Sequence, residues 1–299
     1  MTHIAQPIVV GVDGSASSDA ALLYACAEAA GRRLPLAILH AWQPFPTYAG
    51  AAMMGPGPIM PTPVEMAQFG QQVLDAAAAT AGSFRPTLLH EEYLVQDAAS
   101  NAMIEASESA LLAIVGGRDR ARHEPGWLGP VPLRLAAKSR CPVVVVPSEA
   151  NVAGNVVVGV DGSPVSEEAL AFGFHQASRR ATPLTAILSY STSTAPTGLD
   201  TSPFADRHAD AERQLSEVLS GWSEKFPDVV VNQVVTEEAP LQALRAASST
   251  AGLLVVGTHG RGFFLRHVLG SVSSALLRVS DCPVAVVGPA ERDAETVRP

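Results

Sequence analysis

Val9-Val10-Gly11-Val12-Asp13-Gly14-Ser15 recurs residue for residue as Val157-Val158-Gly159-Val160-Asp161-Gly162-Ser163, 148 positions later. An apolar run that stops at Asp-Gly-Ser reads as a buried strand ending at the aspartate, with serine placed to cap a following helix. A second pair repeats near the end of each half: Cys141-Pro142 leads into Val143 to Val146, and Cys282-Pro283 into Val284 to Val287, 141 apart. Between these anchors, Leu34-Pro35-Leu36 and Thr182-Pro183-Leu184 keep the spacing of 148, whereas Arg85-Pro86 and Phe226-Pro227 keep that of 141. The first half therefore carries seven extra residues after its second strand. They fall in the Pro/Gly/Met-rich segment from Gln43 to Val64, where prolines at 44, 46, 56, 58, 61 and 63 predict a long surface loop. Self-similarity at this scale divides the chain into residues 1–150 and 151–299, with the boundary near Glu149 to Asn155. So short a connection predicts halves that pack together.

Within each half, short β-branched apolar runs alternate with longer Ala/Leu-rich stretches. In the second half the expected strands are 155–160, 184–190, 229–235, 253–257 and 284–288, with helices over 166–180 and 207–226 among the gaps. Such alternation gives parallel strands joined by right-handed helical crossovers, and continuous apolar strands suit a sheet covered on both faces. The expected fold class is α/β: two tandem doubly wound parallel five-stranded sheets flanked by helices. If Asp161 and Gly257 end neighbouring strands, the strand order is 3-2-1-4-5. The last strand of each half is a poor solvent-exposed edge, which pairing between the halves, or between two chains, would cover.

Composition narrows the function. The chain has 299 residues, 47% of them hydrophobic and 16% charged, so it folds. Against 20 Lys+Arg stand 29 Asp+Glu, a net charge of −9 that argues against nucleic acid as a partner, because that affinity comes from cations neutralising phosphates. No stretch approaches the roughly 18 apolar residues of a membrane span, and residues 1–10 lack the basic start and apolar segment of a secretion signal. A cytoplasmic protein without a membrane partner is expected. Cys26, Cys141 and Cys282 show no metal-ligand spacing and are assigned to structure, and no metal site is assigned. His40 and His175 are assigned to structure as well, and Trp42, Trp127 and Tyr190 to packing.

After Gly257 come Thr258-His259-Gly260-Arg261-Gly262, and then Gly270-Ser271 opens a helical stretch through Val272 and Ser273 to Val279. Glycines at a strand-to-helix turn let backbone approach an anion, and the amides of Ser271, Val272 and Ser273 at a helix start point outward with the positive end of the helix dipole. This is a candidate phosphate cradle. It is not a Walker P-loop, since it lacks Gly-Lys-Ser/Thr.

Gly257, Gly260, Gly270 and Ser271 stand at the spacing Gly-x2-Gly-x9-Gly-Ser/Thr, and together with Val-Asp-Gly-Ser after the first strand they make the chain resemble the universal stress protein family over essentially its whole length, as a tandem of two such domains. The resemblance implies ATP as the ligand, alone or with Mg²⁺. It implies that Asp161 contacts the nucleoside end and that Gly257, Gly260, Gly270 and Ser271 hold the phosphates. His259, Arg261 and Arg266 are near enough in sequence to help neutralise a triphosphate. The first half departs from the pattern: its cradle reads Gly116, Asp119, Gly129, Pro130, with Pro132 opposite Ser273. A carboxylate replaces the second glycine, and the prolines keep the helix while removing N–H donors. With Asp13 intact, and Arg118, Arg120 and Arg122 as partial compensation, the first half is expected to bind nucleotide weakly through Asp13, Gly116 and Gly129, or not at all.

Three functional classes follow. The favoured one is an ATP-binding stress-response regulatory protein, in which occupancy of the second half changes conformation or a partner surface without rapid chemistry. The second is a slow ATP-hydrolysing enzyme, for which no catalytic base or acidic pair is visible beside the glycine loop. The third is a nucleotide-independent dimeric interaction scaffold. The adenine nucleotide is the one partner the residues identify; a homodimer or an intramolecular pseudo-dimer is expected, and the protein partner is left open.

Overall fold

The computed structural model of the chain describes residues 6–44, 61–119, 127–190, 204–260 and 269–289. The first half runs β1 (Ile8–Gly11), α1 (Ala16–Arg32), β2 (Leu36–Trp42), α2 (Pro63–Phe84), β3 (His90–Gln96), α3 (Ala99–Ala106), β4 (Leu112–Gly116), α4 (Pro130–Lys138) and β5 (Val143–Val146). The second runs β6 (Val156–Val160), α5 (Pro164–Arg180), β7 (Leu184–Ser189), α6 (Phe204–Leu219), a single turn α7 (Trp222–Lys225), β8 (Val231–Thr236), α8 (Pro240–Ser248), β9 (Leu253–Gly257), α9 (Ser271–Val279) and β10 (Val284–Val287).

Two local expectations change. Pro63 opens α2 rather than prolonging a loop: proline is tolerated in the first turn, and Thr62 and Glu65 form a reciprocal capping box there. Of the expected loop, residues 45–60 lie outside the described residues. The helix expected over 207–226 is broken, because Gly221 adopts a left-handed φ of 79° between α6 and α7.

The sheet order is β3-β2-β1-β4-β5-β10-β9-β6-β7-β8. Each half keeps the expected order 3-2-1-4-5 with parallel neighbours. The two sheets nevertheless form one, because β5 and β10 pair antiparallel, with Val144 opposite Ala285 and Val145 opposite Val284. The apolar strands that could not stand as exposed edges cover one another. What remains at the rims is β3 and β8, and β3 carries exposed Glu91 and Glu92, charges that discourage further strand addition.

Side chains alternate across this sheet with the period of two that strands impose. Ile8 and Val10 enter one apolar cluster with Leu22, Leu74, Phe174 and Leu215, while Val9 enters the other with Met103, Leu135, Leu244 and Leu276. Each cluster draws from both halves, so the core is continuous across the seam.

The seam has a local two-fold character. Val144 and Ala285 are repeat counterparts and face each other directly, as residues at a two-fold axis must. Glu28 of α1 and Gln176 of α5 are counterparts too, and Gln176 Nε2 donates to Glu28 Oε2 at 3.3 Å. Here the symmetry is broken chemically. Glu28, 4% exposed, accepts from Arg179 at 2.6 Å, Arg180 at 3.1 Å and Arg32 at 3.2 Å. Arg180 also donates to the Tyr24 hydroxyl and lies over its ring. Burial alone would raise the Glu28 carboxyl, but Arg179, Arg180 and Arg32 outweigh it and hold Glu28 below the usual carboxylate range. Burial opposes both guanidinium charges as well; it prevails at Arg179, while Tyr24 and Glu28 overcome it at Arg180, and both remain cationic at neutral pH.

Glu28→Ala would leave buried cations unpaired and should cost about 3–5 kcal/mol in urea unfolding at neutral pH; a cost below about 1 kcal/mol would contradict this role. Because the folded carboxyl is depressed, its contribution is present above the ordinary glutamate pKa of about 4.3 and is lost as pH falls further. Stability measured from pH 7 to pH 3 should therefore drop more steeply in the native sequence than in Glu28→Gln.

Candidate functional site

The turn after the first strand of each half is built identically. Gly14 (φ 77°) and Gly162 (φ 76°) supply left-handed backbone that a side chain disfavours. Asp13 Oδ1 then accepts from the Ser15 amide and Asp161 Oδ1 from the Ser163 amide, each at 2.9 Å. Ser15 and Ser163 in turn cap α1 and α5 by accepting from Ser18 and Ser166 at 3.2 Å. Capping thus accounts for glycine, serine and one carboxylate oxygen. In the second half the other oxygen faces the glycine loop: a Cβ at Gly260 would overlap Asp161 Oδ2, so a side chain there would require the carboxylate to move.

Strand pairing puts the glycine loop beside this turn, because β9 neighbours β6 as β4 neighbours β1. The first glycine of each loop has a packing role. A Cβ on Gly116 would stand 2.7 Å from the Ser17 carbonyl carbon, and one on Gly257 2.8 Å from Val165 Cγ1. Further along, the Gly270 amide donates to the Thr258 carbonyl at 2.7 Å, and Ser273 Oγ lies 3.1 Å from the carbonyls of both Thr258 and Gly270. These bonds tie the two ends of the loop together. The buried Ser273 hydroxyl is directed inward, which leaves its amide as the group it can offer an anion. Gly270 caps α9 without a side-chain bond, so the amides of Ser271, Val272 and Ser273 meet no capping side chain of their own N-cap. His259 holds Nδ1 3.0 Å from the Thr258 hydroxyl. Arg261 and Arg266 lie outside the described residues.

In the first half the crevice is an open cavity of about 330 Å³ whose walls include Asp13, Ser17, Met103, Asp119, Trp127 and Pro130. Gly116 and Gly129 also line it, with Gly129 as N-cap of α4 at φ −60°, ψ 166°, matching Gly270 at φ −63°, ψ 158°. The backbone frame is conserved between the halves while the chemistry differs: Asp119, 6% exposed, stands where Gly260 stands, and Pro130 and Pro132 stand where Ser271 and Ser273 do. Trp127 is half exposed and lines the cavity. Arg118 does not line the cavity; it reaches across the seam to the Ser280 carbonyl at 3.0 Å and Asp281 at 3.4 Å. Its expected compensating role is therefore not supported, and Arg120 and Arg122 lie outside the described residues. Met103, from α3, had no sequence signal beyond an ordinary apolar helical position.

Elsewhere the structural assignments have visible causes. His40 is buried with Nδ1 2.8 Å from the Val12 carbonyl, and His175 meets the Phe226 ring edge-on. Tyr190 packs against His208. Burial pushes the Cys26 and Cys282 thiols up to about 11, away from reactive thiolate. Among the described residues no His/Cys/Asp/Glu group could hold a metal ion, and no helix is long and apolar enough to cross a membrane.

The two loop glycines should respond unequally to a methyl group. Gly116→Ala meets backbone from 2.7 Å and should cost about 1–3 kcal/mol in denaturant unfolding, whereas Gly257→Ala first meets the Val165 side chain, with backbone no nearer than 3.3 Å, and should cost less. Equal costs would remove the packing explanation.

The sequence profile of the Universal stress protein family matches residues 5–147 and again 153–288. The universal stress protein Rv2005c of Mycobacterium tuberculosis is 37% identical over 294 residues, covering 93% of this chain and 96% of that protein. A crystal structure of a universal stress protein from Archaeoglobus fulgidus matches with a TM-score of 0.68 at 19% identity, over 95% of this chain and 99% of its own. A universal stress protein solved in complex with cAMP, 26% identical, covers 46% of this chain and 99% of its own with a TM-score of 0.35. With the profile matched once in each half of a single ten-stranded sheet, the chain belongs to the universal stress protein family, as a tandem member.

Proposed function

We propose that the chain is an ATP-binding stress-response regulatory protein, in which residues 151–299 form the nucleotide-holding domain and residues 1–150 a domain with a degenerate phosphate loop. The observation that supports this reading is the meeting of Asp161 Oδ2 with the backbone at Gly260, and of Gly270, the N-cap of α9, with Thr258 and His259 of the same loop. The fit is chemical. Asp161 would face the nucleoside end, and Gly257, Gly260, Gly270 and the amides of Ser271, Val272 and Ser273 would hold the phosphates, with the helix dipole favouring their charge. His259 is within the same loop, and Mg²⁺ would offset the remaining triphosphate charge.

Regulation requires ATP to bind one conformation better than another. The loop has a route to the rest of the molecule: the Thr258 amide donates to the Val287 carbonyl at 2.9 Å, and Val287 belongs to β10, the strand that joins the two halves. A loop reordered by nucleotide would thus bear directly on the seam.

Ser271→Pro tests the cradle with little risk to the fold, since Pro130 already opens the equivalent helix α4. It removes one N–H to a charged ligand, an interaction of about 1.5–3 kcal/mol, so calorimetry should find ATP bound about tenfold to a hundredfold more weakly, with the circular dichroism spectrum unchanged. An unaltered affinity would refute the assignment.

A further inference from the structure

We propose that β8, the outer strand of the second half, is an association edge that pairs antiparallel with β8 of a second copy of this chain, about a two-fold axis at Gln233. The inference stands on the sheet alone and is independent of the nucleotide reading.

The sheet ends in β3 and β8, repeat counterparts 141 residues apart that differ in charge. Glu91 and Glu92 stand exposed on β3; at the matching places β8 has Asn232 and Gln233, exposed and uncharged. From Val231 to Thr236 the strand contains neither charge nor proline, and its register with β7 runs without a bulge, so the usual guards of an open edge are missing. Apolar side chains flank it on both faces. Val231 and Val235 pack against the core cluster that contains Leu215 of α6, whereas Val230, 65% exposed, and Val234, 39% exposed, lie on the opposite face. On that face α8 packs over β6, β7 and β9, inboard of β8.

The backbone of β8 fixes the register. The Leu184 amide donates to the Val230 carbonyl at 2.9 Å and the Tyr190 amide to the Thr236 carbonyl at 3.0 Å, so the even-numbered residues of β8 serve β7. Val231, Gln233 and Val235 therefore turn their N–H and C=O groups outward. An antiparallel copy centred on Gln233 would set Gln233 against itself and Val231 against Val235 in both directions, with about six main-chain hydrogen bonds. On the other face Asn232 would meet Val234, and Val230 would meet Thr236. Two glutamine amides at the axis donate and accept reciprocally. The same register on β3 would set Glu92 against Glu92, like charges directly opposite. Pairing β8 with β3 of another copy would not close and would leave both ends free to grow. The β8 pair closes, leaves only the charged β3 strands at the ends of one continuous sheet, and repeats between chains the antiparallel contact that β5 and β10 make within one.

A single strand pair is a small contact, of the kind that associates reversibly. Sedimentation velocity of the full chain from about 1 to about 200 μM should therefore show the mass rise with concentration from 31.1 kDa toward a dimer and no further. Gln233→Glu gives β8 the charge that β3 already carries at Glu92, so it should fold and should weaken the dimer about tenfold or more. Gln233→Pro removes an N–H that β7 does not use and should abolish the dimer, with the circular dichroism spectrum unchanged. A chain that stays monomeric at every concentration, whether or not β8 takes up a strand of another protein, would overturn the inference. So would a dimer indifferent to both substitutions, or growth past the dimer.

Discussion

The antiparallel pairing of β5 with β10 is the constraint on which the molecule depends. Two parallel sheets ending in Val143 to Val146 and Val284 to Val287 would each present an unpaired apolar edge, and an open edge of that kind recruits whatever strand it meets. Joining them in one chain closes the edge internally, with Val144 set against Ala285 at the local axis. The helices then follow. α1 and α5 meet on one face, where Glu28 gathers Arg32, Arg179 and Arg180, and Arg118 bridges to Asp281 elsewhere along the seam.

Covalent duplication has a consequence that a symmetric dimer could not exploit. In a dimer of identical chains, counterpart residues at the axis must be the same, and two buried glutamates there would repel one another. Here Glu28 meets Gln176, so one carboxylate serves both guanidiniums of α5 and accepts from its own counterpart. The same freedom extends to the crevices. Gly116 and Gly257 both stand where a side chain would collide and are kept in both halves, whereas Asp119 replaces Gly260 and Pro130 replaces Ser271 in the first half. Positions fixed by the fold repeat, and those open to ligand chemistry have separated.

That division also explains what was legible from the sequence. The repeated Val-Asp-Gly-Ser and Cys-Pro anchors fix strand positions, and the apolar alternation fixes the order within each half. The merger of the sheets was legible only as one of two ways to cover an edge. Pro63 was misread because a proline count does not separate a helix-opening residue from a breaker, although Thr62 and Glu65 beside it supplied the capping signal. The approach of the glycine loop to Asp161 in the second half was legible because glycine spacing is local. The open first-half cavity was not, since it needs Met103 from α3 and Trp127 from beyond the loop to converge, and Arg118 gave no local sign that it would turn across the seam.

The central claim, one ATP site per chain and that site in the second half, is tested most directly by denaturing freshly purified protein and quantifying the released nucleotide by chromatography and mass spectrometry, followed by dialysis against ATP with Mg²⁺ if the preparation is empty. About one ATP per chain is the predicted result. Two per chain, or none retained and none bound on addition, would contradict it.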